Sequence, residues 1–170
     1  MNIIEVYNEV KVALLGCYPW SFAKHTVTLT AAKAGSDRCA FYYRHLLPVD
    51  FLRALSVETN VITGFSYRLE NDALHCDEKS VTLTYLRLVP EQELPAYFLA
   101  ALRVRIAAEL LGEAPAPLSA DQSVRVNQFA AAALDHAQAQ DKASAHLVEK
   151  SDAGGARTGW RPAWWPKAAP

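Results

Sequence analysis

The first apolar residues of the chain predict a helix over residues 3–15. They recur at steps of three and four residues, the period of an amphipathic helix. These positions are Ile3, Tyr7, Val10 and Leu14. Gly16 is the expected C-terminal stop, and Pro19 cannot continue a helix.

Alternation of apolar and polar residues then predicts one small antiparallel sheet of four to six strands between about residues 26 and 88. Val27 and Leu29, for example, alternate with threonines, as in a half-buried strand. Asn71 and Asp72 predict a tight turn between two of the strands. The segments with a strand pattern are 26–30, 39–43, 54–57, 66–69, 73–76 and 80–88.

After the strands the apolar period changes to that of a helix. Two long helices are predicted, over about residues 95–111 and 120–145, on either side of an Ala-Pro linker at 114–117. Pro95 suits a first helical turn, and Ser119 with Gln122 forms a capping-box pattern. Alanines make both helices narrow enough for close packing. The predicted class is therefore α+β, a helical bundle of long helices packed with a small antiparallel sheet, in an adaptor domain over residues 1–150.

The last twenty residues, 151–170, differ in composition and predict an extended C-terminal arm. The arm contains two adjacent glycines and three prolines, so it is not expected to fold alone. It nevertheless holds three of the four tryptophans, and Trp and Arg dominate binding hot spots. We therefore expect the arm to dock on a partner, the alternative being that it folds back on its own domain. Its candidate docking residues are Arg157, Trp160, Arg161, Trp164 and Trp165.

Composition and charge exclude several classes of protein. The 170 residues suffice for one domain, with 51% hydrophobic and 21% charged residues. The net charge of −1 combines an arm of +2 with a body of −3, so no bulk attraction to nucleic acid or an anionic membrane is expected. No secretory signal or membrane span is predicted. Three widely spaced cysteines fit reduced thiols in the cytosol.

The search for chemistry finds one weak candidate. Cys39 and His45, with Asp50 to orient the histidine, would make a nominal thiol nucleophile. The alternative, which we favour, is that Cys39 is a buried strand residue and His45 a surface loop residue. None of the five histidines stands four residues from another, as two metal ligands on one helix face would. Phosphate-binding glycine loops are also absent. The sequence predicts a non-enzyme without metal or cofactor.

Motifs in a fixed order carry a resemblance to a known family. The run Tyr18-Pro19-Trp20-Ser21-Phe22-Ala23 resembles the hP-W-x-F-A signature of the tail tubular protein A family, the head-to-tail adaptor of short-tailed bacteriophages. The similarity runs from Tyr18 to the end of the chain. The further motifs are Leu47-Pro48-Val49-Asp50-Phe51-Leu52-Arg53, the strand Val81-Thr82-Leu83-Thr84-Tyr85 before Leu88-Val89, the helix over 95–110, the alanine-rich helix after it, and Trp160-Arg161.

The resemblance implies a structural role in the neck of a virion, assembled in the host cytoplasm. Twelve identical subunits would form a ring between the portal protein and the tail nozzle protein. The genome would pass through the lumen without specific binding, since phosphate binding requires Lys and Arg and the body is acidic. Pro19, Trp20 and Phe22 would form an aromatic corner that determines the fold, and the arm would anchor on the portal.

Two features depart from the family pattern. The chain begins close before the Pro-Trp motif, which implies a member shortened at the N-terminus, and its arm is richer in Trp and Pro. An alternative function is a nucleic-acid-associated packaging or regulatory factor. In that case the basic aromatic arm would bind single strands by stacking tryptophans on bases.

Overall fold

The computed structural model describes residues 2–31, 33–34, 41–59, 65–112 and 118–153. These residues form three helices and two small antiparallel sheets, which confirms the α+β class. The helices are α1 (Ile3–Cys17), α2 (Ala96–Gly112) and α3 (Ala120–Ala153). The strands are β1 (Lys24–Thr30), β2 (Lys33–Ala34), β3 (Tyr43–Leu46), β4 (Phe51–Glu58), β5 (Tyr67–Glu70), β6 (Ala73–Cys76) and β7 (Ser80–Arg87).

Helix α1 begins at a side-chain cap and ends later than predicted. The Asn2 side chain accepts a hydrogen bond from the Ile4 backbone N–H at 3.1 Å, which satisfies one free donor of the first turn. The expected stop at Gly16 is wrong, because α1 continues through Gly16 to Cys17. Tyr18 is extended, as a residue before proline usually is, so Pro19 sets the end of the helix.

The strands form two sheets where a single sheet was predicted. The first has the order β1-β7-β4 and the second the order β2-β3-β6-β5. In the first sheet β7 lies between two strands that precede it in the chain by many residues, with Val27 opposite Leu83 on one side. Apolar alternation gives the face of each strand but not its partner, which is why the sequence did not separate the sheets.

The second sheet contains the turn that the sequence predicted. Asn71 and Asp72 connect β5 to β6, and Glu70 lies opposite Ala73 in the hairpin. Asn71 has a φ of 52°, in the left-handed region that asparagine adopts more readily than most residues. Of the predicted strand over 39–43, only Tyr43 lies in a strand, β3. Residues 41 and 42 form a bend, and residues 39 and 40 lie outside the described part.

The main core lies where the three helices meet the corner after α1. Its members come from α1, α2, α3 and the segment after β7, so the helices and the first sheet share one apolar interior. A smaller cluster of Leu74, Cys76 and Val81 joins the two sheets. The largest fully buried side chains of the main core are Trp20, Phe98, Leu15, Leu86, Leu102 and Val89.

Helix α3 is long and buries little apolar surface. It reaches Ala153, beyond the predicted end near residue 145. Ala130, Ala137 and Asp141 are its buried positions within residues 120–146, at spacings of seven and four along one face. A bundle of long helices is not confirmed, because α1 and α2 have only 15 and 17 residues beside the 34 of α3. No described helix is apolar enough over a sufficient length to cross a membrane.

Removal of the capping box should weaken the start of α3. The Ser119 N–H donates to the Gln122 side-chain oxygen at 2.9 Å, and the Gln122 N–H donates to Ser119 Oγ at 3.3 Å. Ser119→Ala should therefore lower the free energy of unfolding by about 1 kcal/mol in chemical denaturation. Ser144→Ala is the matched control, since Ser144 only donates back to the Gln140 carbonyl inside the helix. An equal loss in both variants would contradict a capping role.

Candidate functional site

The segment between α1 and β1 places a tryptophan at the centre of the core. Trp20 is completely buried, and its ring meets Phe98 of α2 edge-on at a centroid distance of 5.2 Å. Trp20 Nε1 donates a 2.8 Å hydrogen bond to the Leu14 carbonyl near the end of α1. Phe22 is partly buried beside Trp20, whereas Pro19 is exposed. Of the three corner residues named from the sequence, Trp20 makes the contacts that join α1 to α2.

A buried carboxylate connects α3 to the same corner. Asp141 is only 2% exposed, and its side chain accepts three hydrogen bonds. Ser21 provides two of them, from its backbone N–H at 2.9 Å and from its hydroxyl at 2.6 Å. The third comes from the Tyr97 hydroxyl at 2.8 Å, at the start of α2. Asp141 therefore links α3 to two elements that are remote in the sequence.

The protonation of this network follows from its burial. Burial, and after it the hydrogen bond to Asp141, raises the pKa of the Tyr97 hydroxyl well above its usual value. Tyr97 thus remains a protonated donor at every pH near neutrality. Next to Asp141, the Lys142 ammonium lies 5.8 Å from the centroid of the Tyr18 ring, within the range of a cation–π contact. These contacts favour a structural role for the cluster, because each polar group of the network already has a partner.

The thiol nucleophile considered from the sequence finds no support in the described residues. Cys39 lies outside them, and His45 is a completely buried residue of β3, so its expected place on a surface loop is wrong. His45 is buried because its ring lies against Cys76 and the Glu78 carbonyl, where the two sheets join. His45 Nε2 lies 2.9 Å from the Glu78 carbonyl oxygen, and Asp50 instead accepts a hydrogen bond from the Tyr85 hydroxyl at 3.0 Å.

Cys76 is the thiol that lies next to His45, with 3.4 Å between Sγ and Nε2. Burial raises the pKa of the Cys76 thiol, which disfavours the reactive thiolate. Among the described residues, no group of three His, Cys, Asp or Glu side chains is placed to hold a metal ion. The candidate functional site is therefore sought among the surfaces of the described residues.

Helices α2 and α3 form an antiparallel hairpin with a groove on each of two sides. Tyr97 near the start of α2 meets Asp141 of α3, while the other ends of both helices line a common groove. We call the groove of about 500 Å³ that α1 also lines the inner groove, with Glu9, Arg105 and Asn127 among its residues. The outer groove, of about 490 Å³, is lined among the described residues by α2 and α3 alone. Its apolar residues include Val104, Ala107, Leu111, Val126 and Phe129.

The two grooves differ in how far the protein covers them. In the inner groove, Arg105 pairs with Glu109 at 2.6 Å, and Val10 and Leu14 of α1 cover part of the apolar surface. In the outer groove, Phe129 is 67% exposed, and the exposed Arg103 and Arg125 also line the surface. A large aromatic residue so exposed beside other apolar residues is typical of an interaction surface.

The outer groove is the part of the site that sequence reasoning missed. The spacing of Arg103 and Arg105 predicts different faces of α2, and the two residues do line different grooves. The sequence pattern predicts Phe129 as one of the few apolar residues that the alanine-rich helix buries. That prediction is wrong, because Phe129 is 67% exposed. The predicted docking residues of the arm (Arg157, Trp160, Arg161, Trp164 and Trp165) all lie outside the described residues.

No protein-family model matches the sequence, and a comparison with curated proteins finds no match either. Function must then follow from the surfaces and from the order of motifs in the chain. The outer groove is an apolar surface that the described residues leave uncovered. It lies at one end of the α2–α3 hairpin, and Asp141 and Phe98 hold the other end in the core.

Proposed function

We propose that this chain is a structural, non-enzymatic head-to-tail adaptor of a bacteriophage virion, forming a ring between the portal protein and the tail nozzle protein. The observation that carries the proposal is the outer groove, which no described residue covers. Its exposed Phe129 is typical of a surface that binds another protein. Ring subunits need complementary surfaces of this kind.

The order of motifs supports the choice of this assembly over others. The Pro19-Trp20 motif, the Leu47-Pro48 step and the α2 pattern occur in the order known from the tail tubular protein A family. Trp20 also makes the contacts expected of a residue that determines the fold. In such a ring the predicted helical bundle would form between subunits, with α2 and α3 of each copy packed against a neighbour.

The C-terminal arm has its own place in the proposal. The segment 151–170 combines three tryptophans with a net charge of +2, a composition suited to a docking hot spot. We assign it to the portal, with Trp160, Trp164 and Trp165 as anchors and Arg157 and Arg161 beside them. The acidic body would then face passing DNA without holding it.

Co-sedimentation with portal rings from the same source tests the adaptor function. The intact chain should be retained in a ring-sized complex, and a chain that ends at Lys150 should be lost from it. A full-length variant with Trp160, Trp164 and Trp165 all changed to alanine is the matched variant, because it keeps the whole of α3 and the basic charges of the arm.

Two outcomes would contradict the proposal. If neither the intact nor the shortened chain sediments with the portal rings, the proposed adaptor function is contradicted. Retention of single-stranded DNA by the intact chain, lost on truncation, would instead favour a nucleic-acid-associated factor. Binding through stacked tryptophans and arginines would also weaken with added salt, which separates it from portal docking.

A further inference from the structure

A second helix face in the described structure is uncovered, on the outer side of α1. One side of this helix packs in the core, through Val6, Val10 and Leu14. Away from these positions, Ile4 and Val12 are exposed aliphatic residues, at 67% and 40% exposure, with Asn8 between them in one row of side chains four residues apart. We call this row, with the neighbouring Glu5, the α1 ridge. Glu9, which also lines the inner groove, lies at the border of the ridge, and all five residues are exposed.

The α1 ridge and the outer groove carry opposite charges that are not neutralised within the described residues. Glu5 and Glu9 of the ridge and its border are one helical turn apart, and neither forms an ion pair with another described residue. Arg103 and Arg125 of the outer groove likewise form none among the described residues. By contrast, Arg105 on the neighbouring face of α2 is paired with Glu109. An apolar groove and a ridge with exposed aliphatic side chains can bind each other when their free charges are complementary.

The two surfaces also match in length. Ile4 and Val12 are eight residues apart on α1, and Arg103 and Leu111 are eight residues apart along the outer groove on α2. At the helical rise of 1.5 Å per residue, both spans are about 12 Å. An exposed helix ridge laid along a groove between two helices is a common mode of helix recognition.

We propose that the outer groove of one copy of this chain receives the α1 ridge of the next copy. Ile4 and Val12 pack on Phe129 and Leu111, and the ridge carboxylates pair with the groove arginines. This inference rests on the proposed ring and deepens it, since it names the two surfaces of the subunit contact. The contact is head-to-tail, because a different surface of each copy takes part.

Both surfaces are available in the same copy. Helix α1 packs on its own α2 along the inner groove, beside Ala101 and Arg105. The outer groove uses other residues of α2 and α3, and α1 lines no part of it. Each copy can therefore give its ridge to one neighbour and its groove to another, which produces a chain of subunits that closes if the rotation between copies allows.

The C-terminal arm is a less suitable occupant of the outer groove. Arg157, Arg161 and Lys167 make the segment 154–170 basic, and the groove already holds two arginines without an acidic partner in the described structure. Like charges brought together in an apolar groove repel. The acidic ridge lowers this repulsion, whereas the arm would add to it.

Mixing two variants tests the contact. Val12→Arg damages only the ridge and Phe129→Glu only the groove, and each introduces a charge that repels the opposite surface. By sedimentation velocity at millimolar concentration, the intact chain should form species larger than a dimer. Self-association of each variant alone should weaken at least about tenfold, the effect expected for a residue at the centre of an interface. An equal mixture should form a dimer and nothing larger, because one intact ridge and one intact groove remain.

The control is Asp135→Arg, an exposed change on α3 outside the outer groove, which should leave association unchanged. Circular dichroism should show that all three variants keep the fold. An intact chain that stays monomeric, variants that associate like the intact chain, or a mixture that stays monomeric would each overturn the inference. Loss of association on removal of 154–170 would also overturn it, and would make the arm the occupant. Continued portal co-sedimentation in any of these cases would leave the adaptor function standing.

Discussion

Replacing Trp20 with alanine is expected to lower the free energy of unfolding by about 3 to 5 kcal/mol, the usual cost of emptying the site of a buried tryptophan. The side chain is completely buried and contacts the rings of Tyr18, Phe22 and Phe98. Its removal would also take away the Nε1 donor from the Leu14 carbonyl at the end of α1. The free energy of unfolding of a single domain is only about 5 to 15 kcal/mol, so this change removes a large part of the stability.

Urea denaturation followed by far-ultraviolet circular dichroism measures this effect. Trp20→Phe should lose less, because an aromatic ring still fills part of the site while the hydrogen bond to Leu14 is gone. Phe129→Ala is the matched control, since it removes an aromatic ring from the exposed outer groove and should change stability by about 0.5 kcal/mol or less. A Trp20→Ala variant as stable as the control would show that the corner does not hold the helices together.

Local features of the fold could be read from the sequence because short-range physics determines them. The observed α1 contains the predicted helix, although Ile3 of its apolar stripe is 66% exposed, and the β5–β6 turn follows from the tolerance of Asn71 for a positive φ. The pairing of strands that are distant in the chain could not be predicted from the sequence. Strand β7 joins β1 and β4 into one sheet, while β3 joins β6 in another, and both choices depend on partners far away in the chain.

Burial of single polar residues was equally hidden from the sequence. His45 looks like a residue that follows a strand, yet it lies inside β3 and is completely buried, because its ring packs against Cys76 and the Glu78 carbonyl where the two sheets join. Asp141 stands in a helix rich in polar residues and has no motif around it. The one available sign is its position on the same face as Ala130 and Ala137, which places a carboxylate where a core residue belongs.

The same residues explain why the α2–α3 hairpin presents its outer groove. Phe98 and Leu102 fix the first half of α2 in the core, and Asp141 fixes the matching part of α3. Phe129 lies twelve residues before Asp141, about 18 Å along the helix, where α2 and α3 are the described elements that line the groove. The end of the hairpin with Phe98 and Asp141 therefore packs in the core, and the other end exposes the outer groove. This arrangement suits the proposed contact between subunits.

The Asp141 anchor should be the second most sensitive point of the structure. Asp141→Ala removes three hydrogen bonds to a carboxylate and leaves the Ser21 N–H, the Ser21 hydroxyl and the Tyr97 hydroxyl without their acceptor. Alanine favours a helix over aspartate by about 0.5 kcal/mol, which works against the loss. Bonds to charged groups contribute about 1.5 to 3 kcal/mol each and are not additive here, so we expect a net loss of about 3 kcal/mol or more.

Thermal and urea denaturation of matched variants separates this anchor from a simple loss of charge. Asp135→Ala removes an exposed aspartate from the same helix and should change stability by about 0.5 kcal/mol or less. Asp141→Asn should fall between the two, because one amide oxygen still accepts while the amide NH₂ opposes the Ser21 donors. A double-mutant cycle with Tyr97→Phe should give a coupling energy of about 1 kcal/mol or more. If the two changes are additive, Asp141 does not hold α2 and α3 together, and the outer groove must owe its shape to the apolar contacts of the hairpin alone.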